Sequence, residues 1–424
     1  MPLCSIPGTT SSYWLVSFDK AGVERREDDD TLLTDSILAQ ASAQPPTHVF
    51  FFSHGWKGDF KAARDQYDRW IGAMLALQPD IVRMGPNFRP LFIGLHWPSL
   101  PFGQENFEAA NFAADAVPLD QARDRYATFL DEGNPEVQSL LAAIFSEQRD
   151  NAGAVRMPPA LAELYNRLAG VLQYRSADLD APPDEDGVKF DPQAAFEVTE
   201  EAGVNYGAND FETGLLSPLR QLSFWIMKKR ARSVGESSMH DFVARLQNAL
   251  PAARFHLMGH SFGCIVVSGI LGGAGGAGTL PRQVDSLVLV QGAVSLWAYA
   301  DKILLLPKRG YFNRTIRRPA VRGPIVTTRS THDAAVGFAY PLAVGLAGQI
   351  SFDIPRILPP FGGIGTFGIQ GTNNAQDRPM GSSDTEYAFQ PGTIVNLNGS
   401  NFIHGHCDIA GSEVAHAMWQ AALV

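Results

Sequence analysis

Hydrophobic and polar positions switch between two periods along this chain, and the switches outline its elements. The run Tyr13-Trp14-Leu15-Val16-Ser17-Phe18 predicts a strand, with Asp19-Lys20-Ala21-Gly22 turning into a hairpin partner at Val23-Glu24-Arg25. Leu32, Leu33, Ile37 and Leu38 share one face of a helix over 31–42. His48-Val49-Phe50-Phe51-Phe52 is an unbroken apolar run of the kind a central parallel strand shows. A helix over 61–77 and a strand over 91–97 follow.

The next strand, over 254–258, comes roughly 155 residues later, far more than one crossover helix requires. Residues 101–237 are therefore expected to form an inserted, mainly helical cap or lid subdomain. Asn134-Pro135 caps and starts a helix with Val137, Leu140, Leu141, Ile144 and Phe145 on one face. Pro158-Pro159 starts another, with Leu161, Leu164, Tyr165, Leu168 and Leu172 aligned. Ser217-Pro218 starts a third, which places Lys228, Lys229 and Arg230 in its last turn, where the helix dipole favours cations. The stretch 178–212 holds eleven acidic residues and one Lys and reads as a solvated excursion. The crossover helix over 240–250 turns Phe242, Val243, Leu246 and Leu250 to the sheet, and Pro251 ends it.

Cys264–Leu271 predicts a helix packed under the sheet, and strands are expected over 284–290, 324–330 and 393–398 before a closing helix over 412–423. The sum is an α/β chain: a mostly parallel central sheet flanked by helices, its core formed by 1–100 and 238–424. Residues 273–278 spell Gly-x-Gly-x-x-Gly, but a helix precedes them and Pro281 follows. That context is wrong for a dinucleotide site and right for a surface loop.

Composition narrows the class. A net charge of -10 and a pI near 5.5 offer no basic face to nucleic acid or anionic lipid. Cys4, Cys264 and Cys407 make no disulfide framework, which favours a reducing compartment such as the cytoplasm. Residues 1–8 show neither a basic nor an apolar signal region. The longest apolar stretch, 334–348, is short and interrupted by Pro341, so no transmembrane segment is expected. Nothing in the chain fixes an oligomeric state.

The candidate chemistry sits at Gly259-His260-Ser261-Phe262-Gly263, between a strand and a helix. A Gly-x-Ser-x-Gly there is a nucleophile elbow: the serine takes a strained backbone, its hydroxyl stands clear of the sheet, and glycines flank it. A second turn, Ser53-His54-Gly55-Trp56, ends the apolar strand over 48–52. In enzymes with such an elbow this is where half of an oxyanion hole commonly lies, so the amides of Trp56 and Phe262 are the candidate donors. His54 alone reads more simply as a turn residue.

These stretches, with an Asp after a later strand and a His after the last one, resemble the α/β-hydrolase superfamily over roughly 10–100 and 238–424. The resemblance implies a serine hydrolase: Ser261 as nucleophile, Asp333 as the acid that orients a histidine base, and no metal or cofactor. Asp301 is the rival acid. The base is His406 or His404; superfamily members often carry His-x-Asp-hydrophobic here, which His406-Cys407-Asp408-Ile409 matches. His54, Trp97 and His260 are the implied substrate contacts. The expected reaction is hydrolysis of a small-molecule carboxylic ester with an apolar acyl or alcohol group. Phe262, Trp97, 334–349 and 357–361 are candidates for its pocket. A lipase with a mobile lid, or an amidase, thioesterase or acyltransferase with the same triad, stays open, as does a binding protein that kept the fold without the chemistry. A serine nucleophile excludes the aspartate chemistry of dehalogenases and epoxide hydrolases. Two features depart from the pattern: the insert precedes the nucleophile, and 72 residues separate Asp333 from the histidine region.

Overall fold

The computed structural model of the chain describes residues 3–55, 60–99, 119–131, 133–151, 154, 156–172, 190–193, 195–196, 214–303, 308–333 and 362–424. Strand β3 is His48–Ser53, buried along its whole length, as a strand covered on both faces must be. The others are β1 Leu3–Ser5, β2 Ser12–Ser17, β4 Pro90–His96, β5 Arg254–His260, β6 Ser286–Val290, β7 Ile325–Arg329, β8 Ala375–Pro379 and β9 Ile394–Asn398. They form one sheet in the order β1-β2-β4-β3-β5-β6-β7-β9-β8. Among the pairings of these nine described strands, β1–β2 is antiparallel and the rest are parallel.

The order reverses beside β3. From β3 the chain moves outward to β4, and from β5 it moves the other way to β6. Where neighbouring connections diverge like this, a crevice opens at the carboxyl ends of the strands. Ser53-His54-Gly55 and His260-Ser261 are the residues delivered there.

Helices cover both faces because their apolar stripes have nowhere else to go. On one face Phe50, Phe52, Met258 and Val288 pack with Trp70 and Met74 of Phe60–Ala76 and with Met418 and Trp419 of Ser412–Ala422. Trp419 Nε1 donates to the Met74 carbonyl at 2.9 Å, which locks these two helices together. On the other face Phe51 meets Phe255 and Phe242, the latter from the crossover helix His240–Ala249.

Two strands are present that the hydrophobic pattern does not announce. Residues 3–5 and 375–379 (Leu-Cys-Ser and Ala-Gln-Asp-Arg-Pro) lie at the two edges of the sheet. An edge strand needs only ladder hydrogen bonds, so its side chains can be polar. β8 lies within the long segment between β7 and β9.

The chain divides into two compact units: Met1–Ser99 with Lys229–Gly337 and Gly362–Val424, and Leu100–Lys228 with Phe338–Phe361. The described part of the second is helical, including Leu119–Asp131, Pro135–Asp150 and Pro159–Val171. Asn134 Oδ1 accepts from the amides of Glu136 and Val137, capping the second of these. Val137, Leu140, Leu141, Ile144 and Phe145 are its buried face, the five positions aligned by the sequence.

The reading of Lys228, Lys229 and Arg230 as helix-end cations does not hold. Ser217–Val234 continues past them and passes through a π-helical turn, Gly235–Met239, into the crossover helix. No helix stop separates these pieces in the sequence, so the cations fall within the helix. Lys228 is buried, its ammonium 5.6 Å from the centre of the Phe224 ring.

Among the described residues, four of the buried histidines lie on strands: His48, His96, His256 and His260. Burial pushes all four down, His48 to about 4, His96 and His260 to about 3, and His256 well below its ordinary value. Each is neutral in the folded protein but charges near pH 6.5 once unfolded. Below that pH the unfolded state binds more protons, so stability falls as the pH drops toward 4, while nothing changes above it. Each group contributes up to about 1.4 kcal/mol per pH unit in that window. Thermal melting should therefore show a midpoint several degrees lower at about pH 5.5 than at about pH 7. An unchanged midpoint over this interval would contradict the assignment.

Candidate active site

Strand β5 runs into Ser261, whose φ of 57° lies in the left-handed region. For a residue with a side chain this costs about 1–2 kcal/mol, and the surroundings must hold it. The Ser261 amide donates to the Val290 carbonyl at 3.1 Å, and its own carbonyl accepts from Ala293 at 3.1 Å. The end of β6 thus clamps the turn from both sides. The helix Gly263–Gly272 begins at once, with Phe262 as its first flanking residue, so its positive end lies at Ser261.

The turn is also pressed against the end of β3. A Cβ on Gly263 would lie 2.6 Å from the His54 carbonyl oxygen and closer still to that of Ser53. A Cβ on Gly55 would lie 2.5 Å from Ser261 Cβ. Only hydrogen fits at either place.

The hydroxyl of Ser261 faces His406. Ser261 Oγ to His406 Nε2 is 2.8 Å, and His406 Nδ1 lies 3.0 and 2.9 Å from the two oxygens of Asp333. A carboxylate only accepts, so Nδ1 carries the proton, Nε2 offers its lone pair, and the serine donates to it. Asp333 is fully buried and His406 partly exposed. Asp333 comes from the turn after β7, where its amide donates to the Ser330 carbonyl. His406 comes from the loop after β9. Ser330 Oγ donates to the Ile403 carbonyl at 2.7 Å, tying the two loops together.

The rival residues lie elsewhere. Asp301 is exposed and accepts from Asn313 Nδ2 at 3.0 Å. His404 is exposed, its ring 5.7 Å from that of His332, while its amide donates to Asp408 Oδ2 at 3.0 Å.

The three implied substrate contacts are buried, and their polar atoms bond within the protein. His260 Nε2 lies 2.9 Å from the His406 carbonyl, so Nε2 carries the proton and Nδ1 faces Gln66 Nε2 at 3.4 Å. With a pKa of about 3, lowered first by burial and then by His406, His260 stays neutral and adds no charge beside Ser261 and His406. His54 donates through Nδ1 to the Gly55 carbonyl at 2.8 Å and accepts through Nε2 from the Trp97 amide at 3.3 Å. Trp97 stacks on that ring, and its Nε1 donates to the His54 carbonyl at 3.1 Å. Trp56, the other oxyanion candidate, and the pocket candidates at 334–349 and 357–361 lie outside the described residues.

Sequence reading missed Gln291. At the end of β6, with φ 45° and no exposed surface, it donates Nε2 to Asp333 Oδ2 at 2.9 Å. Thr328 turns it: the threonine hydroxyl donates to Gln291 Oε1 at 2.9 Å and accepts from the Gln291 amide at 3.0 Å. One glutamine after one apolar strand carries no signal in a single sequence. Tyr67 is a second omission. Its hydroxyl accepts from the His54 amide at 2.8 Å and donates to the Leu95 carbonyl at 2.6 Å, fixing the ends of β3 and β4. Among the described residues, no group of three or more His, Cys, Asp or Glu is placed to hold a metal ion.

The close approach at Gly263 makes a stability prediction. Gly263→Ala should cost more than about 3 kcal/mol, because carbonyl oxygens of the backbone cannot step aside. Gly405→Ala, where nothing lies within 4 Å, should be near neutral. Denaturant melts of the two variants check this, and equal midpoints would contradict it. No family model, curated protein or solved structure matches this chain.

Proposed function

We propose that this chain is a serine hydrolase of the α/β-hydrolase kind, cleaving carboxylic esters through an acyl-enzyme. The observation that carries the proposal is the hydrogen-bonded line from Ser261 Oγ through the His406 ring to Asp333. A hydroxyl alone is too weak an acid to attack a carbonyl, and a base within 2.8 Å removes that limit.

In this reading Ser261 Oγ attacks the ester carbonyl as His406 Nε2 takes its proton. The imidazolium that forms is stabilised by Asp333, which stays ionised and is held by Gln291. His406 then passes the proton to the leaving alcohol, and water repeats the sequence on the acyl-enzyme. The oxyanion is assigned to the amides of Phe262 and Trp56, each worth about 3 kcal/mol in transition-state binding. An apolar acyl or alcohol group remains the preferred substrate part on sequence grounds.

Hydrolysis of short p-nitrophenyl esters tests the proposal. Ser261→Ala and His406→Ala should each lower kcat by more than about a thousandfold, because triad members act as a unit. His404→Ala should change it little. Gln291→Ala should lower kcat by about tenfold with KM nearly unchanged, since it acts through Asp333. A folded Ser261→Ala protein with near-normal turnover would overturn the reading.

A further inference from the structure

The helix that begins under Ser261 ends ten residues later in an open cleft of about 420 Å³. At 1.5 Å per residue this is about 15 Å from the serine, toward the amino ends of the parallel strands. The size is that of a small-molecule site. Its walls are the glycine-rich loop after the helix, the segment leading into β6, and the short helix Asn313–Arg317 with the residues that follow it.

Three arginines line this cleft, Arg282, Arg314 and Arg318, and no carboxylate does. Among the described residues none of the three is in an ion pair. Nearby acids are committed elsewhere. Asp285, which acts on Arg282 through space, bonds Arg322, Arg254 and the Phe255 amide. Glu236 accepts from the Gly275 amide and from the Tyr311 hydroxyl. Three guanidinium groups outside any ion pair among the described residues are unexpected in a protein whose net charge is -10.

Two of them are held in place. Arg282 Nη2 donates to the carbonyls of Leu250 and Ala253, at 3.0 and 2.5 Å, and its guanidinium lies 4.9 Å from the centre of the Phe255 ring. Arg314 Nη1 donates to the Gly276 carbonyl at 3.0 Å, which also pins the glycine loop. Arg318 is exposed and follows Arg314 by one helical turn. Carbonyls satisfy individual N–H groups without supplying a full negative charge, and helix-end dipoles account for only a fraction of one charge. Thr279 and Gln283 add polar groups, while Leu271, Leu280 and Pro319 give the wall an apolar part.

We infer that this cleft binds a small phosphate-bearing molecule, its phosphate gripped by Arg282, Arg314 and Arg318 and its carbon skeleton lying on Leu271, Leu280 and Pro319. The guanidinium fork matches phosphate oxygens in pairs, and three forks suit a group with two or more charges. Residues 273–278 then have a use their sequence pattern does not reveal. They serve as a wall pinned by Arg314 and Glu236, without the strand-to-helix context of a dinucleotide fingerprint.

Calorimetric titration of the full chain with inorganic phosphate and with pyrophosphate tests this. Saturable binding of one pyrophosphate per chain is expected, tighter than phosphate and tighter than citrate. Arg314→Gln and Arg318→Gln should each weaken it about tenfold, as loss of a charge-assisted hydrogen bond does. Arg318 is exposed, so its variant should keep the native melting midpoint, and ester turnover should stay unchanged in both. No saturable binding up to about 10 mM, or binding indifferent to both substitutions, would overturn the site. Tighter binding of citrate than of pyrophosphate would overturn the phosphate assignment.

Discussion

The left-handed backbone of Ser261 is the constraint on which the rest of the site depends. A serine pays a steric penalty for φ 57°, and on an unsupported turn it would relax into the ordinary helical region. It is held because β6 bonds its amide and carbonyl, and because Gly55 and Gly263 let β3 press against the turn. The same constraint begins the helix Gly263–Gly272 immediately beyond Ser261 and aims the hydroxyl away from the sheet. Loosening either clamp would turn the hydroxyl away from His406.

Around that point the parallel sheet works as a jig. Five neighbouring strands, β3, β5, β6, β7 and β9, present their carboxyl ends side by side. They bring Gly55, Ser261, Gln291, Asp333 and the His406 loop, from across about 350 residues of chain, within a few ångströms of one another. Each polar group is oriented by another: Thr328 turns Gln291, Gln291 and the His406 ring hold Asp333, and His260 holds the His406 carbonyl. The opposite edge is differently charged, with Asp285 gathering Arg254 and Arg322 while Arg282, Arg314 and Arg318 line the cleft outside any ion pair among the described residues.

How much of this is legible in the sequence follows from physics. The central strands are legible because burial on both faces forces unbroken apolar runs such as 49–52 and 287–290. Helix faces are legible where a 3.6-residue stripe meets a cap, as at Asn134-Pro135. The edge strands β1 and β8 are not, since ladder bonds demand no hydrophobic pattern. The end of Ser217–Val234 is not legible either, because a cluster of cations is compatible with both a helix end and a helix interior. Ser261 stands out through its flanking glycines, whereas Asp333 and His406 follow from the family resemblance, with Asp301 and His404 as rivals. Gln291, Thr328 and Tyr67 do neither, because their roles arise from side chains meeting across the sheet.

Covalent trapping of Ser261 addresses the central claim most directly. A fluorophosphonate reacts only with a serine whose proton a base can remove and whose oxyanion is accommodated. Peptide mapping by mass spectrometry after incubation should find one phosphonyl adduct, on Ser261, and none in protein carrying Asp333→Asn over the same interval. An unmodified Ser261 in the native protein, or an adduct on another serine, would contradict the account.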